Sequence, residues 1–298
     1  MHFSTALNRD GGTLRTTDLD RFSARIGEAL ERAGHRRPIA IVSGRDIEWA
    51  LRAAASEEGV DVVMVGGGDG TVSAAAGILR GTGRALAILP AGTMNLFARS
   101  LAIPLDLDAA VEAFATGRIR DVDTASANGR PFVHQFSLGM HAKMVRLRER
   151  LDFASRLGKM GASAKAAYWT VLRPPRLRVA LAIGGTEILA TASNIGVTNN
   201  LFGEGHLPYA DHPDRGVLGI YVTVARERGE VIRAAVNMAV GRWRANELVE
   251  IHQSNRVSLK ILSPLRSQRA VIAGDLLPAE AETEIVIEPA SLRVLVPA

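Results

Sequence analysis

The run Val60-Asp61-Val62-Val63-Met64-Val65 passes directly into Gly66-Gly67-Gly68-Asp69-Gly70-Thr71 and then into Val72-Ser73-Ala74-Ala75-Ala76-Gly77-Ile78-Leu79. Its first part is short, apolar and β-branched, the pattern of a strand buried on both faces. Its last part is rich in Ala and Leu and predicts a helix. The glycine turn between them lets the backbone approach a ligand closely, and successive N–H groups with the helix start make a concave anion site. Asp69 would repel a bare phosphate, so its presence points to magnesium or an oriented nucleotide. The plainer alternative is a simple strand-to-helix turn.

Working outward, Arg84-Ala85-Leu86-Ala87-Ile88-Leu89 repeats the grammar as a strand, Pro90-Ala91-Gly92-Thr93 as a turn, and Met94-Asn95-Leu96-Phe97-Ala98-Arg99 as the opening of a helix. In parallel α/β sheets ligands collect at the carboxyl ends of strands, so two such turns in succession face one crevice. Thr93 and Asn95 would supply a hydroxyl and an amide there; Thr93 is alternatively a helix cap.

The pair GGGDGT and LPAGTMNLFAR resembles the soluble diacylglycerol kinase and sphingosine kinase family of lipid kinases. NAD kinases and phosphofructokinases share the GGDGT element but not, as a rule, an LPxGTxN segment at this distance. The resemblance implies ATP and Mg2+ as cofactors and a lipid hydroxyl, diacylglycerol-like or sphingoid, as phosphoryl acceptor. It also implies an NAD kinase/phosphofructokinase-like α/β half followed by a β-sandwich.

Composition is compatible with this. The chain has 298 residues, 47% of them hydrophobic, enough for one large domain or two modest ones. It has no cysteine, which excludes disulfides and thiolate metal sites. No apolar run approaches the ~20 residues of a membrane helix, and the amino terminus lacks the pattern of a signal peptide, so a soluble, unexported protein of the cytoplasm is expected; the lipid-kinase resemblance adds a peripheral place at the inner membrane surface. The net charge is +5, carried almost wholly by arginine. Aromatics make up 5%, with no aromatic-basic platform, so no nucleic-acid partner is expected. A second copy, in a homodimer, is the protein partner expected.

Along the chain, Phe3 to Leu7 predicts a strand followed by the turn Asn8-Arg9-Asp10-Gly11-Gly12-Thr13. The family's Asn-Pro-x-Ser-Gly phosphate loop falls here, and Asn8, Gly11 and Gly12 match it; a frayed N-terminal loop is the alternative. Asp18 to Gly34 predicts an amphipathic helix, Pro38 to Val42 a strand, Ser43-Gly44-Arg45-Asp46 a turn, and Ile47 to Ser56 a helix. Ser43 falls where the family often places a hydroxyl near the nucleotide. Leu107 to Thr116 closes a parallel half with right-handed crossovers. After Gly117 the texture changes to short strands: Asp121–Thr124, Phe132–Ser137, Leu177–Ile183, Thr186–Val197, Leu218–Val224, Leu248–Gln253, Val257–Leu262, Ala270–Ala273 and Glu284–Glu288. Hence a nucleotide-binding α/β half over 1–120 and a mostly antiparallel, lipid-binding β-sandwich half over 121–298 are expected, the C-terminal tail free to return to the first, with the active site between them.

A helical insertion, Lys143 to Lys165, carries Arg146, Arg150, Arg156 and Lys159 against Glu149 and Asp152. A basic amphipathic helix can lie on an anionic bilayer; the alternative is a packed helix with a solvated outer face. The family's Gly-Lys is matched by Gly158-Lys159, and Asn199, Gly203, Gly205 and Pro208 match as well.

Phosphoryl transfer needs phosphate positioning, charge neutralisation and a proton acceptor. Gly67, Gly68, Asp69, Gly70 and Thr71 are assigned to the nucleotide, with Asp69 as a catalytic residue that meets metal only through Mg-ATP. The family's Asp-Gly-Glu becomes Ala273-Gly274-Asp275, making Asp275 the catalytic proton acceptor; an acidic turn residue is the alternative. The family's Asp-Asp-Gly, whose acid helps bind a structural magnesium, becomes Asp214-Arg215-Gly216. A guanidinium there repels an ion, leaving Asp214 or Asp211 as a substitute ligand. His141 replaces the acid of the family's Gly-Phe-Asp-Ala turn and is taken as structural. An NAD kinase-type phosphotransferase and a catalytically weak nucleotide- or lipid-binding paralogue are the rival functions.

Overall fold

The computed structural model describes residues 1–35, 38–149, 169–170, 172, 174–203, 207–225, 227–241 and 246–298. Four parallel strands organise its first part: β1 (Phe3–Asn8), β2 (Ile39–Val42), β3 (Val62–Gly67) and β4 (Ala85–Pro90). Every residue of β1, β3 and β4 is buried, as the unbroken apolar runs of β3 and β4 require. Helices α1 (Leu19–Arg32), α2 (Ile47–Ser56), α3 (Asp69–Leu79), α4 (Leu96–Ser100) and α5 (Leu107–Ala115) alternate with these strands. The Asp18 carboxylate caps α1 on the Arg21 N–H, and Phe22, Ile26 and Leu30 form its buried stripe. Strand order is β2-β1-β3-β4, so the order reverses between β1 and β3, where parallel sheets open a crevice at their carboxyl ends.

The second part is a sandwich. β5 (Arg118–Ala127), β6 (Arg130–Phe132), β8 (Leu177–Ile183), β9 (Thr186–Ala192), β13 (Arg256–Ile261) and β16 (Glu282–Val296) continue the first sheet into a ten-stranded one. Against them stands a six-stranded antiparallel sheet, ordered β12 (Val249–Ser254), β11 (Leu218–Thr223), β10 (Asn194–Asn199), β7 (Gln135–Gly139), β14 (Arg269–Ile272), β15 (Asp275–Pro278). Phe132, Leu181, Leu259 and Ile285 of the large sheet meet Phe136, Ile195 and Ile220 of the small one in a single apolar layer. Among the described residues, helices α6 (Met140–Glu149) and α7 (Arg228–Ala239) accompany the small sheet.

Several expectations need correction. Phe132–Ser137 is not one strand: it divides between β6 and β7, on opposite sheets, at His134, whose φ is 86°. Thr186–Val197 likewise divides into β9 and β10 at Ser193. A chain that changes sheets keeps its alternation, so periodicity alone misses the break. Glu284–Glu288 lengthens into the fifteen-residue β16, which runs through a register shift between Glu288 and Leu292. There β16 pairs with β4 in parallel through Arg293 and Val294, and Leu292, Val294 and Leu295 join the core of the first part. Helix α7 and strand β15 were not anticipated. At the start of the insertion Lys143–Lys165, α6 packs through Ala142 and Val145. Arg150 to Lys165, with Gly158-Lys159, lies outside the described residues, as does Gly205.

Candidate functional site

Three turns meet at the carboxyl ends of β1, β3 and β4. The Ala91 N–H donates to the Gly67 carbonyl (2.9 Å) and the Thr13 N–H to the Ala91 carbonyl (2.8 Å). The approach is so close that a Cβ on Gly92 would stand 2.8 Å from the Gly68 Cα, and one on Gly12 would stand 1.8 Å from the Ala91 carbonyl oxygen. Only glycine fits at either position, and Gly12 also needs its φ of 34°.

Asp69 joins the turns. Its Oδ2 accepts the Asn95 N–H (3.0 Å) and its Oδ1 the Leu96 N–H (2.7 Å), so the first acid of α3 caps the start of α4. Asn95 sits in the left-handed region at φ 51°. Its amide does not face a ligand as expected. Oδ1 accepts the Gly92 N–H, and Nδ2 donates to the carbonyls of Pro90 and Gly92. It shapes the turn, while Thr93 beside it is exposed. Asn8 is also an internal tie: Nδ2 donates to Thr71 Oγ1 (3.1 Å) and Oδ1 accepts the Asp10 N–H. The Ser43 hydroxyl donates to Asp46 Oδ2 (2.6 Å), and the next N–H, of Gly44, donates to Asp10 Oδ2. The structure thus gathers Asn8, Gly11, Gly12, Ser43, Gly67, Gly68, Asp69, Gly70, Thr71, Thr93 and Asn95 into one cluster of turns, with the side chains of Asn8, Ser43 and Asn95 engaged within it.

Solvent reaches the cluster at Gly70. A Cβ there would meet nothing within 4 Å. Gly68, which precedes α3, brings no capping side chain, and the first N–H to bond back is that of Val72. The N–H groups of Asp69, Gly70 and Thr71 stand at the positive end of α3, and this donor set fits the polyphosphate of a nucleotide.

The turn Ala273-Gly274 between β14 and β15 hangs over this opening: a Cβ on Gly274 would stand 4.0 Å from the Gly70 Cα. Both turn residues have positive φ, 56° and 91°, the geometry of a two-residue type I′ hairpin. Asp275 begins β15, exposed, with its Oδ2 3.0 Å from Arg130 Nη2. Residues at sequence distance ~200 therefore converge on one mouth.

The loop 210–217 is built differently. Asp214 pairs with Arg120 (2.5 Å), and Asp211 lies against Gly203. The buried carboxylate of Asp123, a strand residue that sequence reasoning passed over, holds the loop. It accepts the N–H of Gly216 (2.6 Å) and of Ala290 (2.9 Å), and the Asn200 amide (3.0 Å). An ion here would displace N–H groups already bonded to Asp123, the buried acid beneath the loop, so these residues do not fit a resident magnesium. The expectation of metal at Asp214 is withdrawn on that ground: its carboxylate is an ion-pair partner. Among the described residues no three His, Asp or Glu side chains converge as a ligand set.

Between the two parts, Phe97 and Ser100 of α4 face His134, Asn199, Phe202, Ala210 and Pro213 across a narrow pocket. Burial, and secondarily the neighbouring His141, hold the His134 imidazole down to a pKa of about 4. His141 Nδ1 is 2.6 Å from the Ser137 hydroxyl and its N–H donates to Asn194, a structural setting. The signal for this pocket was absent from the motifs; only His134 and Phe202, polar and aromatic residues at strand ends, could have suggested it.

Residues 6–127 match the family model for the diacylglycerol kinase catalytic domain. A diacylglycerol kinase of Mycobacterium tuberculosis (strain ATCC 25618 / H37Rv) is 31% identical over 294 residues, which span 90% of this chain and 88% of the relative. An uncharacterized Synechocystis protein is 27% identical over 80% of this chain; the chain spans 56% of that relative's length. The crystal structure of a diacylglycerol kinase from Bacillus anthracis str. Sterne superposes with a TM-score of 0.73 at 19% identity, covering 99% of this chain and 96% of the other. That likeness shows the α/β-plus-sandwich fold.

Proposed function

Because this chain belongs to the diacylglycerol kinase family, we propose that it transfers the γ-phosphoryl group of ATP to the hydroxyl of a diacylglycerol-like or sphingoid lipid. The acceptor oxygen bonds to the γ-phosphorus, the bond to the bridging oxygen breaks, ADP leaves, and the hydroxyl proton passes to Asp275. The backbone N–H groups of Gly67–Thr71 hold the phosphates, the exposed Thr93 contributes a hydroxyl, and Asp69 keeps the two turns in register. Magnesium brought by the nucleotide would supply neutralisation of phosphate charge, with Asp69 as the carboxylate of these turns that could face it. Residues 1–120 form the nucleotide half and 121–298 the acceptor half. Arg130 steadies Asp275 until an acceptor is seated. An enzyme that draws on ATP and on membrane lipid works at the cytoplasmic face of a bilayer.

The observation that carries this proposal is the placement of the Ala273-Gly274-Asp275 turn over Gly70, which brings a carboxylate-bearing hairpin to the open end of α3. The test is transfer of labelled γ-phosphate to a panel of extracted lipids. Asp275→Asn is expected to lower turnover about 100-fold or more with the unfolding midpoint unchanged. Normal turnover by that variant would remove Asp275 from the chemistry.

The Arg130–Asp275 ion pair, with Ala273 where the family carries an acid, favours one rival: a protein that binds ATP and lipid but transfers slowly. ATP binding without transfer to any lipid, restored by Ala273→Asp, would select it.

A further inference from the structure

Helix α7 has its inner face in place and its outer face bare. Val231 and Ala234 are buried against Ala225, Leu248 and Met140. On the other side Ile232, Val236 and Val240, one turn apart, are 53%, 55% and 58% exposed. A surface helix ordinarily presents charges there. The charges lie alongside instead. Arg233 is exposed, and Arg228 donates from Nε to the Leu172 carbonyl. In the sequence Arg226 precedes the helix and Arg242-Trp243-Arg244 follows it, so residues 226–244 carry five arginines against Glu227 and Glu230.

We propose that α7 is the surface on which the protein lies against an anionic bilayer, its aliphatic stripe entering the acyl boundary and its arginines meeting lipid phosphates. This rests on the lipid kinase proposal for its purpose, not for its chemistry. The excess of arginine in the sequence of residues 226–244 favours an anionic bilayer over a second copy of the same basic stretch, and three aliphatic side chains fall short of the ~800 Å² per partner of a stable interface. The placement also connects to the site. The inner face of α7 touches Met140 at the start of α6, and α6 packs through Ala142 and Val145 on Val271 and Leu276, which flank the Ala273-Gly274-Asp275 turn. A bilayer under α7 is therefore joined to the acceptor hairpin through one packed layer.

The test is sedimentation of the full chain with vesicles of phosphatidylglycerol and phosphatidylcholine, against phosphatidylcholine alone, with transfer to vesicle diacylglycerol and to a soluble short-chain diacylglycerol measured in parallel. Wild-type protein is expected to sediment with the anionic vesicles. Ile232→Ser/Val236→Ser/Val240→Ser is expected to lower the bound fraction constant at least ~10-fold and to slow transfer to vesicle lipid, sparing the soluble acceptor. Arg233→Glu, which leaves the aliphatic stripe intact, should weaken anionic binding alone and guards against misfolding of the triple variant. Undiminished sedimentation of both variants would overturn the proposal. So would loss of sedimentation on reversing Arg146, Arg150 and Arg156 with α7 untouched, or a dimer that the triple variant dissolves while vesicle binding persists. Absence of transfer to either acceptor would fail the kinase proposal while leaving the vesicle result readable.

Discussion

Asp69, among the glycine turns, accepts two backbone N–H groups and stays half-buried beside an open residue, Gly70. Asp123, under the loop of residues 213–216, accepts three donors and is 2% exposed. Both carboxylates do the same local work, tying a loop to its neighbour by its N–H groups. What differs is water. At Asp69 the tie leaves solvent access where an anion can enter; at Asp123 the tie closes the structure. A carboxylate acting as a loop clasp becomes part of a site only where the surrounding backbone stays open.

The largest expected effect separates the two clasps. Asp123→Ala removes a carboxylate that is 2% exposed and satisfies three donors, the buried Asn200 amide among them, and should cost about 3 kcal/mol or more, read from urea unfolding. Asp69→Ala, which removes a half-buried carboxylate with two donors, should cost about 1–2 kcal/mol yet suppress phosphoryl transfer about 100-fold. Equal losses of stability, or normal transfer by Asp69→Ala, would break the comparison.

A second effect sharpens the closed side. The His134 N–H donates to Asn199, whose amide donates to the Asp123 carbonyl. With a folded pKa of about 4 against 6.5 unfolded, the unfolded chain binds the extra proton between these values. Stability attributable to His134 therefore falls as pH drops from 6.5 towards 4. His134→Asn, which tolerates the positive φ, should flatten the melting temperature across that window. An unchanged slope would assign the acid sensitivity elsewhere.

The smallest effect lies on the open side. Ala273 holds a left-handed conformation that costs an alanine about 1 kcal/mol, and Asn-Gly is the favoured pair in this turn. Ala273→Asn should therefore raise stability by about 0.5–1 kcal/mol in the same urea assay. No gain would mean that the turn over Gly70 is shaped by its neighbours rather than by its own residues.

The first part was legible because its signals are local. The β-branched run before Gly66 and the alanines after Thr71 have strong propensities, and the glycines mark the turn. Gly12 and Gly92 were legible as turn residues, but that they are required by backbone approach to Ala91 and Gly68 needed three dimensions. Asp123 was missed because one acid inside a strand has the same pattern whether it faces water or three N–H groups. Asn95 was assigned to the ligand because a motif names a residue type, not the direction of its amide. Helix α7 was missed because apolar residues stand on two sides of it, exposed Ile232 and Val236 as well as buried Val231 and Ala234, and this blurs the polar stripe of Glu230, Arg233 and Asn237.

Strand β16 has one more consequence, for how the molecule is made. Residues 292–296 supply the neighbour of β4, yet they emerge from the ribosome some 200 residues after it. Until then the edge of β4 at Ala85 and Leu86 lacks its partner, an apolar margin of the kind other chains can pair with. Translation order thus leaves that edge open long after the rest of the first sheet has been made.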